Sequence, residues 1–147
     1  MVDIFRFEKK EFVFLLIKDQ KQNMKQLLIV GLGGFLGTIA RYLVSRINLM
    51  ENFLSLPLGT LTVNVTGSFL IGFLTGLASK SEILSADMRL FLMAGFCGGF
   101  TTFSSFTNEN LQLIQNGQFL SAAVYIGISL FLGFVAVFLG FALTNLL

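Results

Sequence analysis

The sequence predicts an all-α membrane protein with four transmembrane helices. Of its 147 residues, 54% are hydrophobic and only 12% are charged, and the mean hydropathy is +0.81. A soluble globular domain carries roughly 25% charged residues. Charged residues are scarce in several apolar runs of about 20 residues, which is the length that an α-helix needs to cross the hydrocarbon core of a bilayer.

Four candidate spans follow one another along the chain, at residues 26–44, 58–79, 90–114 and 119–146. The second and fourth contain no charge, whereas Arg41 interrupts the first and the third is charge-free only up to Asn108, before Glu109. Pro57 precedes the second, where a proline at a helix start loses no hydrogen bond. The connections are too short to hold a soluble domain. We therefore expect one compact four-helix unit, residues 24–147, with both of its ends on the same side of the membrane.

Residues 1–23 differ from the rest of the chain because they are rich in charged residues of both signs. Their apolar run, residues 12–17, is too short for a span or a signal sequence. Met24, followed by Lys25 and an apolar run, is typical of a start site, which favours a dispensable, untranslated extension. The alternative is a short helix on the membrane surface.

Composition excludes several function classes. The chain has no histidine and one cysteine, Cys97, so it forms no internal disulfide, no Cys/His zinc site and no histidine-based acid–base centre. A net charge of +2 gives no basic footprint for nucleic acid. We expect neither an enzyme nor a nucleic-acid-binding protein.

The cations near the span ends are almost evenly divided between the two membrane faces. Lys25, Lys80 and Arg89 fall on one side, and Arg46, with Arg41 just inside the first span, falls on the other. Because lysine and arginine set membrane orientation, this weak bias suggests insertion in both orientations and an antiparallel dimer.

The first two spans carry isolated polar residues and a glycine pair. Gly33-x-x-x-Gly37 favours close helix packing. Arg41 either reaches back to the interface or lends positive potential to a vestibule for an anion. In the second span Thr60, Asn64 and Ser68 share one helical face, and the Asn64 amide either clamps another helix or presents N–H groups to a passing ligand.

The third span predicts a break in the helix, beginning near Gly98 and Thr101. The run of glycine, threonine and serine there has poor helix propensity, and broken backbone at this depth must be buried in protein or line a cavity. Freed carbonyls without a nearby carboxylate suit a monovalent cation. Phe103 and Phe106 follow at helical spacing, either as packing residues or with ring edges that stabilise an anion.

Three motifs in order, GGFLGTIARY, GTLTVNVTGSFLIG and GFCGGFTTFSSF, resemble the Fluc/CrcB family of fluoride channels. The resemblance covers residues 24–147. It implies an antiparallel dual-topology homodimer in the cell (inner) membrane, with two passive pores that export fluoride and exclude chloride. It also implies a structural Na⁺ that is not transported, bound by the backbone carbonyls of Gly98 and Thr101.

The resemblance further implies roles for individual side chains. Arg41 matches a vestibule arginine, and Glu109 matches a recurrent acidic position whose role is left open. Gly133 stands where some members carry a second hydroxyl. The residues implied to line the fluoride pore are Asn64, Phe103, Phe106, Thr60, Ser105, Ser129 and Tyr125.

Two rival functions remain open. A small dual-topology cation or multidrug exchanger has a similar size, but it requires a carboxylate within the membrane, and Glu109 is the one candidate in the spans. A non-transporting assembly subunit would need only the glycine-rich faces.

Overall fold

The computed structural model describes residues 2–46, 56–80 and 84–146, with side chains from residue 20 onward, and all of its regular structure there is helical. Four segments are long and apolar enough to cross a membrane, as predicted. Helix α1, Val2–Ser45, contains the first, and α2, Leu58–Lys80, is the second. The fourth is α6, Phe119–Leu143, which ends in a 3₁₀ turn, Thr144–Leu146.

The third span, Ala86–Gln115, is a composite of four short helices. Its backbone leaves helical geometry at Thr101 (φ −77°, ψ 156°) and Thr102 (φ −148°, ψ 116°), within the run where a break is predicted. The pieces are α3, Ala86–Arg89; a π-helix, Leu90–Cys97; α4, Gly98–Phe100; and α5, Phe103–Gln115.

The third span begins four residues before the predicted start at Leu90 because Arg89 is accommodated in the helix. The Arg89 guanidinium donates to the carbonyl oxygens of Leu84 and Ala78, each at 3.0 Å. Lys25 of α1 pairs with Asp87 at 2.5 Å beside it. These contacts join the ends of the first three spans at one end of the bundle.

Glycines set the spacing between the spans. A Cβ added at Gly33 or Gly37 of α1 would collide with backbone carbonyls of the third span, which include that of Phe96. A Cβ at Gly72 of α2 would collide with the carbonyl of Val137 in α6. The first span therefore packs directly on the third and the second on the fourth, and the predicted glycine contact is present.

Helix α1 runs without interruption from Val2 to Ser45, through the boundary predicted at residue 23. Whether residues 1–23 are dispensable stays a prediction. A small core between α2, α5 and α6 contains Leu56, Leu113, Ala122 and Tyr125. Most large apolar side chains of α6, and of α1 from residue 20 onward, point outward instead, as expected where lipid replaces water around a protein.

Candidate functional site

A cavity of about 530 Å³ lies beside the break in the third span. Asn64 of α2, Thr101 at the break and Ser129 of α6 contribute polar groups to its wall, and Phe103 and Phe106 of α5 contribute rings. Among the described residues, none that lines it is charged. The cavity therefore offers weakly polar groups at membrane depth without a full charge.

Asn64 clamps the break by two hydrogen bonds to one residue. Its Nδ2 donates to the Thr102 carbonyl at 3.1 Å, and its Oδ1 accepts from the Thr102 N–H at 2.8 Å. The bond to Oδ1 satisfies the Thr102 N–H, which loses its helical partner at the break and would otherwise be costly in a bilayer. The structure thus shows the clamping role, and the second N–H of the amide is not needed for it.

The carbonyls of Gly98 and Thr101 are among those that lose their helical partners on the N-terminal side of the clamp. In a continuous helix the Thr102 N–H would donate to the Gly98 carbonyl, but here it donates to Asn64 Oδ1. Likewise, the Ser105 N–H would donate to the Thr101 carbonyl in a continuous helix, but here it donates to the Thr102 hydroxyl at 3.2 Å. Neutral oxygens without a carboxylate among them fit a monovalent cation rather than Ca²⁺ or Mg²⁺.

Phe103 and Phe106 lie side by side at the start of α5. Their ring centroids are 5.9 Å apart with the planes tilted by 42°, and Phe106 lies 5.1 Å from the ring of Tyr125 at 58°. Tyr125 is completely buried, whereas Phe103 is 75% exposed. Tyr125 therefore supports Phe106 from behind, and Phe103 stands at the rim of the cavity.

Glu109 connects three spans within the membrane. Its Oε1 accepts from the Thr60 hydroxyl at 2.5 Å, and its Oε2 accepts from the Tyr125 hydroxyl at 2.8 Å. The hydroxyl protons of Thr60 and Tyr125, two of the predicted pore residues, are thus directed at a carboxylate in this conformation. Tyr125 also lies in the core and does not line the cavity beside the break. The pore roles of Thr60 and Tyr125 stay predictions.

A second cavity, of about 280 Å³, contains the predicted vestibule residue Arg41. Thr60 and Ser105 line it as well, so the structure brings these three predicted residues together. Thr102 lines both cavities, and its hydroxyl donates to Ser105 Oγ at 3.0 Å. The wall between the two cavities is therefore built at the break.

Sequence reasoning missed the importance of Thr102, which it treated only as a poor helix former. The available signal was its position directly before α5, where a threonine side chain caps the first turn; here Thr102 accepts from the Ser105 amide. It also left Ser68 without a role, although Ser68 lines the same cavity as Asn64.

Fold and site together define a four-span membrane protein with a broken helix beside a largely apolar cavity that holds a few polar groups, an arrangement that transport proteins use at the bilayer midplane. The chain belongs to the family described as CrcB-like protein, Camphor Resistance (CrcB), which it matches over residues 28–141. The resemblance inferred from the three motifs is thereby confirmed.

Curated relatives match most of this chain. A protein of Chlorobium chlorochromatii (strain CaD3) is 50% identical over 114 residues, which cover 78% of this chain and 88% of the relative. A protein of Azobacteroides pseudotrichonymphae is 43% identical over 122 residues, 83% and 98% of the two chains. A protein of Rhizobium meliloti (strain 1021) is 47% identical over 120 residues, 82% and 96%. All three are named fluoride-specific ion channel FluC.

Proposed function

We propose that this chain is a fluoride-specific ion channel that lets fluoride leave the cell passively. The observation that carries the proposal is the uncharged cavity at the break, where the rings of Phe103 and Phe106 meet the Asn64 amide and the Ser129 hydroxyl. The names of the curated relatives point to the same ion.

The chemistry of this cavity suits a small, strongly hydrated anion. Amide and hydroxyl groups donate hydrogen bonds, and the positive edge of a phenylalanine ring adds weak electrostatic stabilisation. The Ser129 oxygen is buried without a hydrogen-bond partner among the described residues, so its proton is available to an ion. A full positive charge at this depth would bind fluoride too tightly for it to leave.

Arg41 acts on the ion before it reaches this cavity. It is half-buried in the second cavity beside Ser105, where a guanidinium attracts anions and raises their local concentration. Fluoride then passes from a charged vestibule to the uncharged cavity at the break.

A second copy of the chain completes the pore. Gly98, whose carbonyl loses the Thr102 N–H to Asn64, is exposed beside the cavity, and polar groups without partners at this depth are not stable against lipid. Phe103, 75% exposed, borders the same face. An antiparallel homodimer covers this face and creates two symmetry-related pores. The small difference in the number of lysine and arginine residues between the two membrane faces supports insertion in both orientations.

The carbonyls of Gly98 and Thr101 would hold one structural Na⁺ between the two copies. When bound, the ion would supply a fixed positive charge that compensates the dipoles of these carbonyls. Asn64 contributes indirectly, because its bonds to Thr102 keep the third span broken and both carbonyls free.

Export through this channel needs no energy coupling. Fluoride enters a cell as the neutral acid and is trapped as the anion at the higher internal pH. A negative-inside potential across the cell (inner) membrane then drives the anion outward, since each elementary charge gains about 2.3 kcal/mol per 100 mV. Passive efflux therefore lowers the cytoplasmic concentration and the toxicity of fluoride.

Efflux from liposomes tests the proposal. Purified protein is reconstituted into vesicles loaded with potassium fluoride, valinomycin is added, and released fluoride is measured with an electrode. We expect rapid release, which Phe103→Ile and Phe106→Ile abolish. Phe35→Ile is the matched control, because Phe35 lies 64% exposed on α1 and lines neither cavity. Proton-coupled cation uptake without fluoride release would identify an exchanger instead.

A further inference from the structure

Ser68 of α2 faces the cavity at the break and has no role in the function proposed above. It lies one helical turn after Asn64, and both residues line this cavity together with Ser129 and Gly133 of α6. On α6, Gly133 is in turn one helical turn after Ser129. The two helices therefore present one pair of residues each to the same space.

Because Gly133 has no side chain, it leaves a space in the cavity, and the Ser68 side chain faces this space. A Cβ added at Gly133 would lie 3.8 Å from the Ser68 hydroxyl oxygen, an ordinary van der Waals distance, and would meet nothing closer. A side chain at position 133 and the hydroxyl of Ser68 would thus reach the same part of the cavity. Ser68 places a hydroxyl where α6 has none.

The Ser68 proton is not directed at its own helix. Serine and threonine in membrane helices commonly donate to a carbonyl one turn earlier, and α2 contains two examples. Thr75 donates to the Ile71 carbonyl at 2.7 Å, and Ser79 donates to the Gly76 carbonyl at 2.8 Å. Ser68 makes no such bond within the described chain, and the Ser129 oxygen is likewise unpartnered there.

We infer that Ser68 is a further fluoride-binding residue, which acts with Ser129 to receive the ion after the phenylalanine pair. The inference rests on the proposed channel function and names a donor on the second span. A fluoride ion that loses water needs a donor at each successive position to compensate the lost hydration. Asn64 and Ser68 supply donors from α2, and Ser129 supplies one from α6.

Moving the hydroxyl from one helix to the other tests the inference. We expect Ser68→Ala to lower the fluoride efflux rate about tenfold, the size expected for one hydrogen bond to an ion. Adding Gly133→Ser to Ser68→Ala should restore the rate to within about threefold of the parent, because the new side chain reaches the same space. Thr75→Val is the matched control and should conduct like the parent.

Each outcome decides the inference. A parental rate in Ser68→Ala overturns it, and so does a reduced rate that Gly133→Ser does not restore, since Ser68 would then act by packing. If Ser68→Ala does not elute as a folded protein, Ser68→Cys replaces it, because a thiol of similar size donates only weakly; a parental rate there also overturns the inference. A parent chain that releases no fluoride removes the proposed function itself.

Discussion

At the scale of single residues, Asn64 explains how a broken helix is kept in a bilayer. One side-chain amide bonds both backbone groups of Thr102, at 3.1 and 2.8 Å, in the way that a neighbouring strand would. The sequence allowed two roles for this amide, as a clamp or as a ligand for a passing ion. Since the clamp uses one of two N–H groups, the residue can serve both.

Replacing Asn64 with aspartate tests the importance of this amide. A carboxylate can still accept from the Thr102 N–H, but it cannot donate to the Thr102 carbonyl and it adds a negative charge to the anion path. We expect Asn64→Asp to lower fluoride efflux at least about 100-fold, the effect of losing roughly 3 kcal/mol. Asn116→Asp, at an exposed helix end, should leave efflux unchanged. Parental efflux in Asn64→Asp would contradict the assignment.

Glu109 is a second single residue with a large structural effect, because its carboxylate links the third span to Thr60 and Tyr125. Removing it as Glu109→Ala leaves the Tyr125 hydroxyl buried without an acceptor, which costs about 1–3 kcal/mol. We expect a lower unfolding free energy in detergent and a smaller loss in Glu109→Gln, which keeps one acceptor. Thr107→Val removes an exposed hydroxyl bonded within its own helix and should change little. Equal stability of Glu109→Ala and the parent would show that the network contributes nothing.

At the scale of elements, the glycine pair of α1 is a packing motif rather than a ligand-binding loop. The spacing predicted contact with another helix, and the structure identifies that helix as the first half of the third span. The π-helical turn there, Leu90–Cys97, is the surface that α1 meets. Local sequence could not select this partner, because any apolar helix would satisfy the motif.

Two glycines of α1 give a matched pair of variants. A Cβ at Gly37 would overlap the carbonyl of Phe96, whereas a Cβ at Gly31 meets nothing within 4 Å. We expect Gly37→Ala to destabilise the protein by about 1–3 kcal/mol, as overpacking does, and Gly31→Ala to be neutral. Thermal unfolding followed by circular dichroism measures both. Equal melting temperatures for the two variants would contradict this packing.

At the scale of the whole molecule, part of the wall of the cavity at the break is exposed in a single chain. Phe103 is 75% exposed and Phe134, also on the cavity wall, is 76% exposed. Both lie beside polar groups that lipid cannot satisfy. The homodimer that we propose would cover this surface, and the small difference in cation number between the two membrane faces is the reason for proposing an antiparallel arrangement.

Labelling from each side of the membrane tests the orientation. Leu146→Cys places a thiol at an 82% exposed position near the chain end, while Cys97 is only 4% exposed. We expect a membrane-impermeant maleimide to label about half of the Leu146→Cys chains in right-side-out vesicles and the other half in inverted ones. The parent chain gives the background from Cys97. Labelling from one side alone would exclude dual topology.

The sequence by itself determined the number of spans, the broken third span and the family. These properties depend on hydropathy, local helix propensity and short motifs, all of which act over a few residues or one helix length. Arg41, Asn64, Phe103 and Phe106 were also recognisable, because isolated polar groups and periodic rings stand out in an apolar chain.

Only the tertiary structure decided which groups bond one another. Thr102 lies in the wall between two cavities, Glu109 accepts hydrogen bonds from Thr60 and Tyr125, and Ser68 faces Gly133. Each of these relations joins helices that lie far apart in the chain. Helix rotation and close approach at the glycines set them, and both depend on packing across the whole bundle rather than on any local pattern.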